Sequence, residues 1–266
     1  MMATLTGSVP GGWLRLVAVG WWLQLKIRGR SAFDGFLGVL YPIFFATTIF
    51  LIYRQGSSPT ALVGAAVGAS VMGVWSATST TASSVLQHER RQGTLELLVA
   101  APAPFALLVV PITLSMATIG LYSLVATLLW GRYVFSIPVR IDDPAGFIVA
   151  ALVTVLAIAM MGFLQAVASV RYRSAWALGT ALELPVWLVC GFLVPLSALP
   201  GWVRPVSWVL PPTWGVSAVK DAALGLSPWV DIAMCAGTAV VYGLVGTVAS
   251  GVLLDSARAR ATLALS

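Results

Sequence analysis

Six long apolar runs dominate this sequence and leave only short polar segments between them. A helix crosses a hydrocarbon core about 30 Å thick with roughly 20 apolar residues, because it rises about 1.5 Å per residue. The runs that reach this length cover approximately residues 32–53, 60–86, 104–131, 145–170, 174–196 and 230–254. We therefore predict an all-α integral membrane protein, with a single transmembrane domain over residues 1–266 and six transmembrane helices.

The composition excludes a water-soluble domain. Only 9% of the residues are charged and 59% are hydrophobic, whereas soluble domains carry about 25% charged residues. The net charge of +6 fits the excess of basic residues on the cytoplasmic side of membrane proteins. No cluster of Lys and Arg alternates with aromatic residues as in a nucleic-acid groove, so no nucleic-acid partner is expected.

The stretch before the first apolar run, residues 12–30, mixes tryptophan with basic residues. It is too short and too charged to cross a membrane, and the mixture is typical of an amphipathic helix that lies in the headgroup plane. The residues that predict this interfacial helix are Trp13, Arg15, Trp21, Trp22, Lys26, Arg28 and Arg30. The alternative is a solvated N-terminal helix.

The distribution of basic residues predicts the orientation. If both termini are cytoplasmic, the inner segments hold ten Lys and Arg residues and the outer segments hold five. Because cytoplasmic loops carry the excess, we predict a multi-pass protein of the cell membrane with both termini in the cytoplasm. Residues 88–104 then face the cytoplasm, and residues 197–227 face the outside.

The outer segment 197–227 is rich in both proline and tryptophan. Proline interrupts a full-length helix, and tryptophan favours the membrane interface. We therefore predict short re-entrant helices, with Thr213 as an N-terminal cap and Gly225 as a stop. The outer residues singled out are Trp202, Trp208, Trp214 and Lys220. An ordinary surface loop is the alternative.

Groups that could carry out catalysis or bind a metal are scarce. His88 is the only histidine, and Cys190 and Cys235 lie in apolar runs where thiols act as small hydrophobic groups. The sequence therefore predicts no catalytic residues and no metal site. A GxxxxGK[ST] sequence, which would cradle nucleotide phosphates, does not occur in the chain.

Glu183 is the only acid deep inside an apolar run. A charged residue at the centre of a membrane helix costs about 2.5–3.5 kcal/mol on insertion scales. Glu183 is therefore a candidate residue of a substrate or proton pathway. The alternative is a neutral, hydrogen-bonded packing residue.

The cytoplasmic stretch "HERRQGTLELLVAAPAP" at residues 88–104 is the most polar interruption of the apolar pattern. Gly93 permits a turn, Thr94 can cap a following helix, and Glu96 then falls in the first turn, where the helix dipole favours an acid. An apolar face follows, made by Leu95, Leu98 and Val99. The pattern indicates a cytoplasmic knob that fits a groove on a partner; the alternative is a solvated loop whose charges only set topology.

This stretch closely resembles the cytoplasmic motif of ABC-2 type transporter permeases, which reads like E-R-E-x-G-T-L-E-x-L-x-x-T-P. The residues Glu89, Gly93, Thr94, Leu95, Glu96, Leu98 and Pro102 match it in place. Ala101 departs from the motif, where the family often has Thr. The outer segment, with a Pro-Gly-Trp turn before a helix that ends in a basic residue, resembles the family as well.

The resemblance implies a permease subunit that has no nucleotide site of its own. Its partners would be a cytosolic ATP-binding subunit, which carries ATP and Mg, and a second permease chain in a homodimer or heterodimer. Residues 88–101 would be the coupling helix, and residues 12–30 would be the connecting helix. The implied coupling residues are His88, Glu89, Arg90, Arg91, Gly93, Thr94, Leu95, Glu96, Leu98 and Val99.

The branch of the family and the cargo are expectations of the same resemblance. A short, stand-alone permease resembles the exporters of drugs and natural products, such as daunorubicin-resistance permeases. Hydrophobic or amphiphilic cargo is therefore expected. Two alternatives are a proton-coupled secondary transporter or channel that uses Glu183, and an intramembrane enzyme, for which the sequence offers no second catalytic group.

Overall fold

The computed structural model describes residues 10–28, 32–54, 59–91, 93, 104–137, 141–171 and 175–259, and these are helical with short connections. The helices are α1 (Pro10–Arg28), α2 (Ala32–Arg54), α3 (Pro59–Arg91), α4 (Phe105–Val134), α5 (Pro144–Arg171), α6 (Ala175–Val189), α7 (Arg204–Val209), α8 (Pro211–Ala223) and α9 (Trp229–Ala259). A 3₁₀ turn over Leu196–Ala198 precedes α7. The predicted all-α class is confirmed for the described part of the chain.

Four helices are long and apolar enough to cross a membrane among the described residues. Their crossing segments are Thr60–Thr80, Phe105–Val134, Pro144–Ser169 and Trp229–Val252. They agree with four of the six predicted spans. In α2, which has 23 residues, the apolar segment Pro42–Ile52 is shorter than these four and is not long enough to count among them.

The predicted fifth span, residues 174–196, is shorter than expected. Helix α6 has 15 residues, or about 22 Å of helix, which is less than the roughly 30 Å of a hydrocarbon core. It ends because Gly191 adopts a positive φ of 78°. The amides of Gly191 and Phe192 bond back to the carbonyls of Leu188 and Trp187, which is the glycine-terminated end known as a Schellman motif.

The core is organised around α3, which contacts α2, α4, α5, α6 and α8. Small residues on α3 permit these contacts. A side chain at Gly68 would overlap the carbonyl of Phe192, and one at Gly120 of α4 would press on Val74 of α3. Large side chains fill the rest, and Trp75, Trp187, Phe50 and Phe163 are almost completely buried.

Small residues that lie four apart on α3 and α9 have different environments. Gly246 of α9 packs against the ring of Phe163, and Ser250 is buried one turn later. A Cβ placed at Gly64 or Gly251 would meet nothing within 4 Å. A close contact with a neighbouring helix or chain segment therefore occurs at Gly68 and Gly246 but not at Gly64 or Gly251.

Candidate functional site

A layer of polar side chains crosses the apolar bundle where α3, α5 and α6 meet. Ser79 of α3 donates to Oε1 of Gln165 on α5 at 3.1 Å and approaches the carbonyl oxygen of Gly179 on α6 at 3.5 Å. Glu183 lies one turn beyond Gly179 on the same face of α6. Only 7% of its surface is exposed.

The register of α3 against α6 places Glu183 within this layer. Ser79 meets Gly179, and Gly68 lies beside Phe192, so the two helices run antiparallel. One turn before Ser79 on α3 are Trp75 and Ser76, and these lie at the level of Glu183. Both are buried.

Five buried atoms have no hydrogen-bond partner within the described part of the chain. Four belong to this layer, and the fifth belongs to Trp187, one turn after Glu183 on α6. They are Trp75 Nε1, Ser76 Oγ, Gln165 Nε2, Glu183 Oε1 and Trp187 Nε1. Buried polar groups in proteins are nearly always hydrogen-bonded, because leaving one unsatisfied costs about 1–3 kcal/mol. The layer therefore presents donors and an acceptor that the described residues do not satisfy.

The C-terminal end of α6 is held by the short helices that follow it. Lys220 Nζ of α8 donates to the carbonyl oxygen of Gly191 at 2.8 Å, and the hydroxyl of Ser207 on α7 donates to that of Val189. Helix ends leave carbonyls unpaired, so these two side chains satisfy groups that α6 itself cannot.

Burial shifts the pKa values of two neighbouring residues of α8, Lys220 and Asp221, although both side chains keep part of their surface exposed. Burial lowers the pKa of Lys220 to about 8, and the neighbouring Asp221 carboxylate opposes part of this effect. Burial also raises the pKa of Asp221. Lys220 was predicted as an outer residue, but its contact with the end of α6 depends on tertiary packing.

Replacing Lys220 by methionine should remove a pH dependence of stability. Between about pH 8 and the usual lysine pKa near 10.5, the unfolded chain binds more protons at this position, so folding is favoured as the pH rises. We therefore subtract the melting temperature of Lys220→Met from that of the native chain at each pH. This difference should be larger at about pH 9.5 than at about pH 7.5. Exposed Lys26→Met is the control, and an equal pH effect in both variants would contradict the assignment.

The ends of α8 agree only in part with the sequence-based predictions. Gly225 has a φ of 71°, and the amides of Gly225 and Leu226 bond to the carbonyls of Ala222 and Asp221, so Gly225 is the predicted stop. Thr213 was predicted as the cap, and this is wrong. The N-cap is Leu210, because Pro211 and Pro212 occupy the first helical positions and place Thr213 inside the helix.

The outer tryptophans differ in their exposure. Trp202 follows Gly201 in a turn closed by the amide of Val203 and the carbonyl of Pro200, and it is 77% exposed. Trp208 is also exposed, whereas Trp214 is partly buried and donates to the carbonyl of Trp208. The Pro-Gly-Trp turn predicted from the sequence is present.

The N-terminal helix packs on the bundle. Trp21 Nε1 of α1 donates to Thr118 Oγ1 of α4 at 3.1 Å. Thr118 lies near the middle of α4, roughly 20 Å along the axis from Phe105. This contact differs from the expected position in the headgroup plane, although Trp13, Arg15, Trp22 and Lys26 are exposed as that position requires.

An apolar cavity of about 420 Å³ lies between α1, α4 and α5. Its lining is formed by Leu14, Val17, Ala18, Trp21, Leu114, Thr118, Leu121, Leu152, Val155 and Leu156. Trp21 and Thr118 are already hydrogen-bonded to each other. A molecule bound in the cavity would therefore gain mainly van der Waals contacts.

The predicted coupling stretch is described only at its start. His88, Glu89, Arg90 and Arg91 form the end of α3 rather than part of a separate helix over residues 88–101. Gly93 has a φ of 71° and is the expected turn. Thr94, Leu95, Glu96, Leu98 and Val99 lie outside the described residues, as does Arg30, so their predicted roles remain predictions.

A model of the family described as ABC-2 type transporter matches residues 15–224. The chain belongs to this family. It is therefore the membrane-embedded permease subunit of an ABC transporter, and the family implies an ATP-binding partner. No curated protein matches the chain. Among the described residues, no group of His, Cys, Asp and Glu could hold a metal ion.

Proposed function

We propose that this permease exports hydrophobic or amphiphilic compounds, with ATP hydrolysed on a separate subunit. Family membership carries the proposal, and the absence of a GxxxxGK[ST] sequence within these 266 residues supports a separate ATPase. The proposal includes the branch that exports drugs and natural products, and pairing with a second permease chain. The branch and the pairing are both inferred from the resemblance of residues 88–104 to the family motif.

The membrane arrangement that we propose has six crossings and cytoplasmic termini. Helix α2 supplies one crossing, of which the apolar segment Pro42–Ile52 forms only a part. Helix α6 supplies another together with the short outer helices, because its 15 residues reach only part of the way. The ten-to-five excess of basic residues on the inner segments supports this orientation.

The cytoplasmic stretch and the buried acid have distinct proposed roles. Residues 88–101 contact the ATP-binding subunit, and Glu183 lies on the substrate pathway. Helix α3 connects them, because it continues without interruption from the level of Glu183 to Arg91. A displacement at its cytoplasmic end would therefore reach the polar layer.

A second candidate function is proton-coupled transport. It is favoured by the buried Glu183, whose Oε1 has no hydrogen-bond partner among the described residues, since buried acids in membrane helices frequently belong to proton relays. This candidate differs from the first in its energy source. It requires a proton gradient and no ATP.

Inside-out vesicles that contain the permease and its ATPase test the proposal. An amphiphilic dye should accumulate in the vesicles when ATP is added, and a collapsed proton gradient should not prevent it. The same vesicles without the ATPase subunit, or with a hydrolysis-deficient ATPase, are the controls. Uptake that follows the proton gradient and ignores ATP would establish the second candidate instead.

A further inference from the structure

The acceptor in the polar layer is Glu183 Oε1, and it has no hydrogen-bond partner in the described part of the chain. The spans that contain Trp75, Gln165 and Glu183 carry no Lys or Arg between residues 60 and 84, 144 and 169, or 175 and 189. Lys220, at the C-terminal end of α6, bonds to the carbonyl oxygen of Gly191, two turns beyond Glu183. A partner for Glu183 must therefore come from outside these spans.

The neighbouring groups restrict what that partner is. The indole N–H groups of Trp75 and Trp187 and the amide of Gln165 are donors, and they lack acceptors in the described part of the chain. A ligand that satisfies the layer brings a strong donor for Glu183 and oxygen acceptors for the other groups. Charge-assisted hydrogen bonds are the strongest of this kind, so the matching donor is an ammonium group.

We propose that this layer is a cargo-binding site for amphiphiles whose head combines a protonated amine with hydroxyl or carbonyl oxygens. The ammonium binds Glu183, and the oxygens accept hydrogen bonds from Trp75, Gln165 and Trp187. The apolar tail lies among the surrounding side chains of α3 and α6. This inference rests on the proposed function and adds the chemical class of the cargo to it.

Sphingosine and N-acetylsphingosine are a matched pair of probes, because both carry a long chain and hydroxyls but only sphingosine carries an ammonium. The purified permease–ATPase complex in detergent should be thermally stabilised by sphingosine at concentrations at least about tenfold lower than by N-acetylsphingosine. Stabilisation by a ligand reports binding to the folded state without requiring transport.

Glu183→Gln should abolish this preference, so that both probes stabilise the complex alike. Leu182→Gln is the control, since it adds the same amide at an exposed position of α6, and it should keep the preference. If Glu183→Gln does not fold, Glu183→Asp replaces it in the experiment, because its side chain is shorter by one methylene and keeps the carboxylate. That variant should weaken sphingosine binding several-fold and leave N-acetylsphingosine binding unchanged.

Two results would overturn the inference: equal binding of the two probes to the native complex, or an amine preference in Glu183→Gln as strong as in the native complex. Failure of the proposed function has a different signature. In that case the amine preference would be present, but ATP would not drive the movement of either probe across the membrane.

Discussion

Gly68→Ala should destabilise the folded chain by about 1–3 kcal/mol, the usual range for a side chain forced into a packed core. The added Cβ would overlap the backbone carbonyl of Phe192. A flexible side chain could move away, but this carbonyl belongs to the end of α6, where the amide of Phe192 is bonded to Trp187. The overlap is therefore relieved only by separating α3 from α6.

Gly64→Ala is the matched control for this prediction. It lies one turn earlier on the same helix, and a Cβ there would meet nothing within 4 Å. Alanine is a better helix former than glycine by about 1 kcal/mol in water, so this variant should be as stable as the native chain or more so. Thermal unfolding in detergent measures both, and equal melting temperatures for the two variants would show that α3 and α6 do not approach at Gly68.

The four segments that are long and apolar enough to cross a membrane were predictable because hydropathy is a local property of the sequence. Apolar residues predominate through α4, α5 and α9. The end of α6 was not predictable in the same way. Phe192, Leu193 and Val194 are as apolar as the helix itself, and the helix ends only because Gly191 adopts a positive φ, which a hydropathy average does not detect.

Helix ends in the outer segment show which local signals are sufficient. Gly225 follows the last turn of α8 and was recognised as a stop, since glycine is the residue that adopts positive φ most readily. Thr213 was assigned as a cap from its residue type alone. The two prolines before it decided the outcome, because proline favours the first turn of a helix and moves the start to Pro211.

The surroundings of the candidate site could not be predicted from the sequence. Glu183 was identified because an acid in an apolar run is costly. Its neighbours Trp75 and Gln165 come from helices far away in the chain, and their position depends on the register of α3 against α5 and α6. Sequence periodicity assigns a residue to a face of its own helix but does not determine which residues oppose it.

Leu98→Asp should abolish ATP-driven export while leaving the permease folded and inserted in the membrane. Leu98 belongs to the predicted apolar face of the coupling stretch, and an unpaired charge on a buried contact costs about 3–5 kcal/mol. Association with the ATP-binding subunit should therefore weaken by roughly 10²–10⁴-fold. Leu98→Met keeps an apolar side chain of similar volume and should export normally.

Glu96→Arg should act in the same direction through the helix that Thr94 is predicted to cap. An acid in the first turn is favoured by the helix dipole and a base is disfavoured, by about 0.3–1 kcal/mol each, so Glu96→Asp is the tolerated control. The ATPase should either fail to co-purify with Glu96→Arg and Leu98→Asp or hydrolyse ATP without export. Neither substitution changes a residue of the polar layer, so sphingosine should still stabilise both variants. Export at the native rate by both would reduce residues 88–101 to a loop that only sets topology.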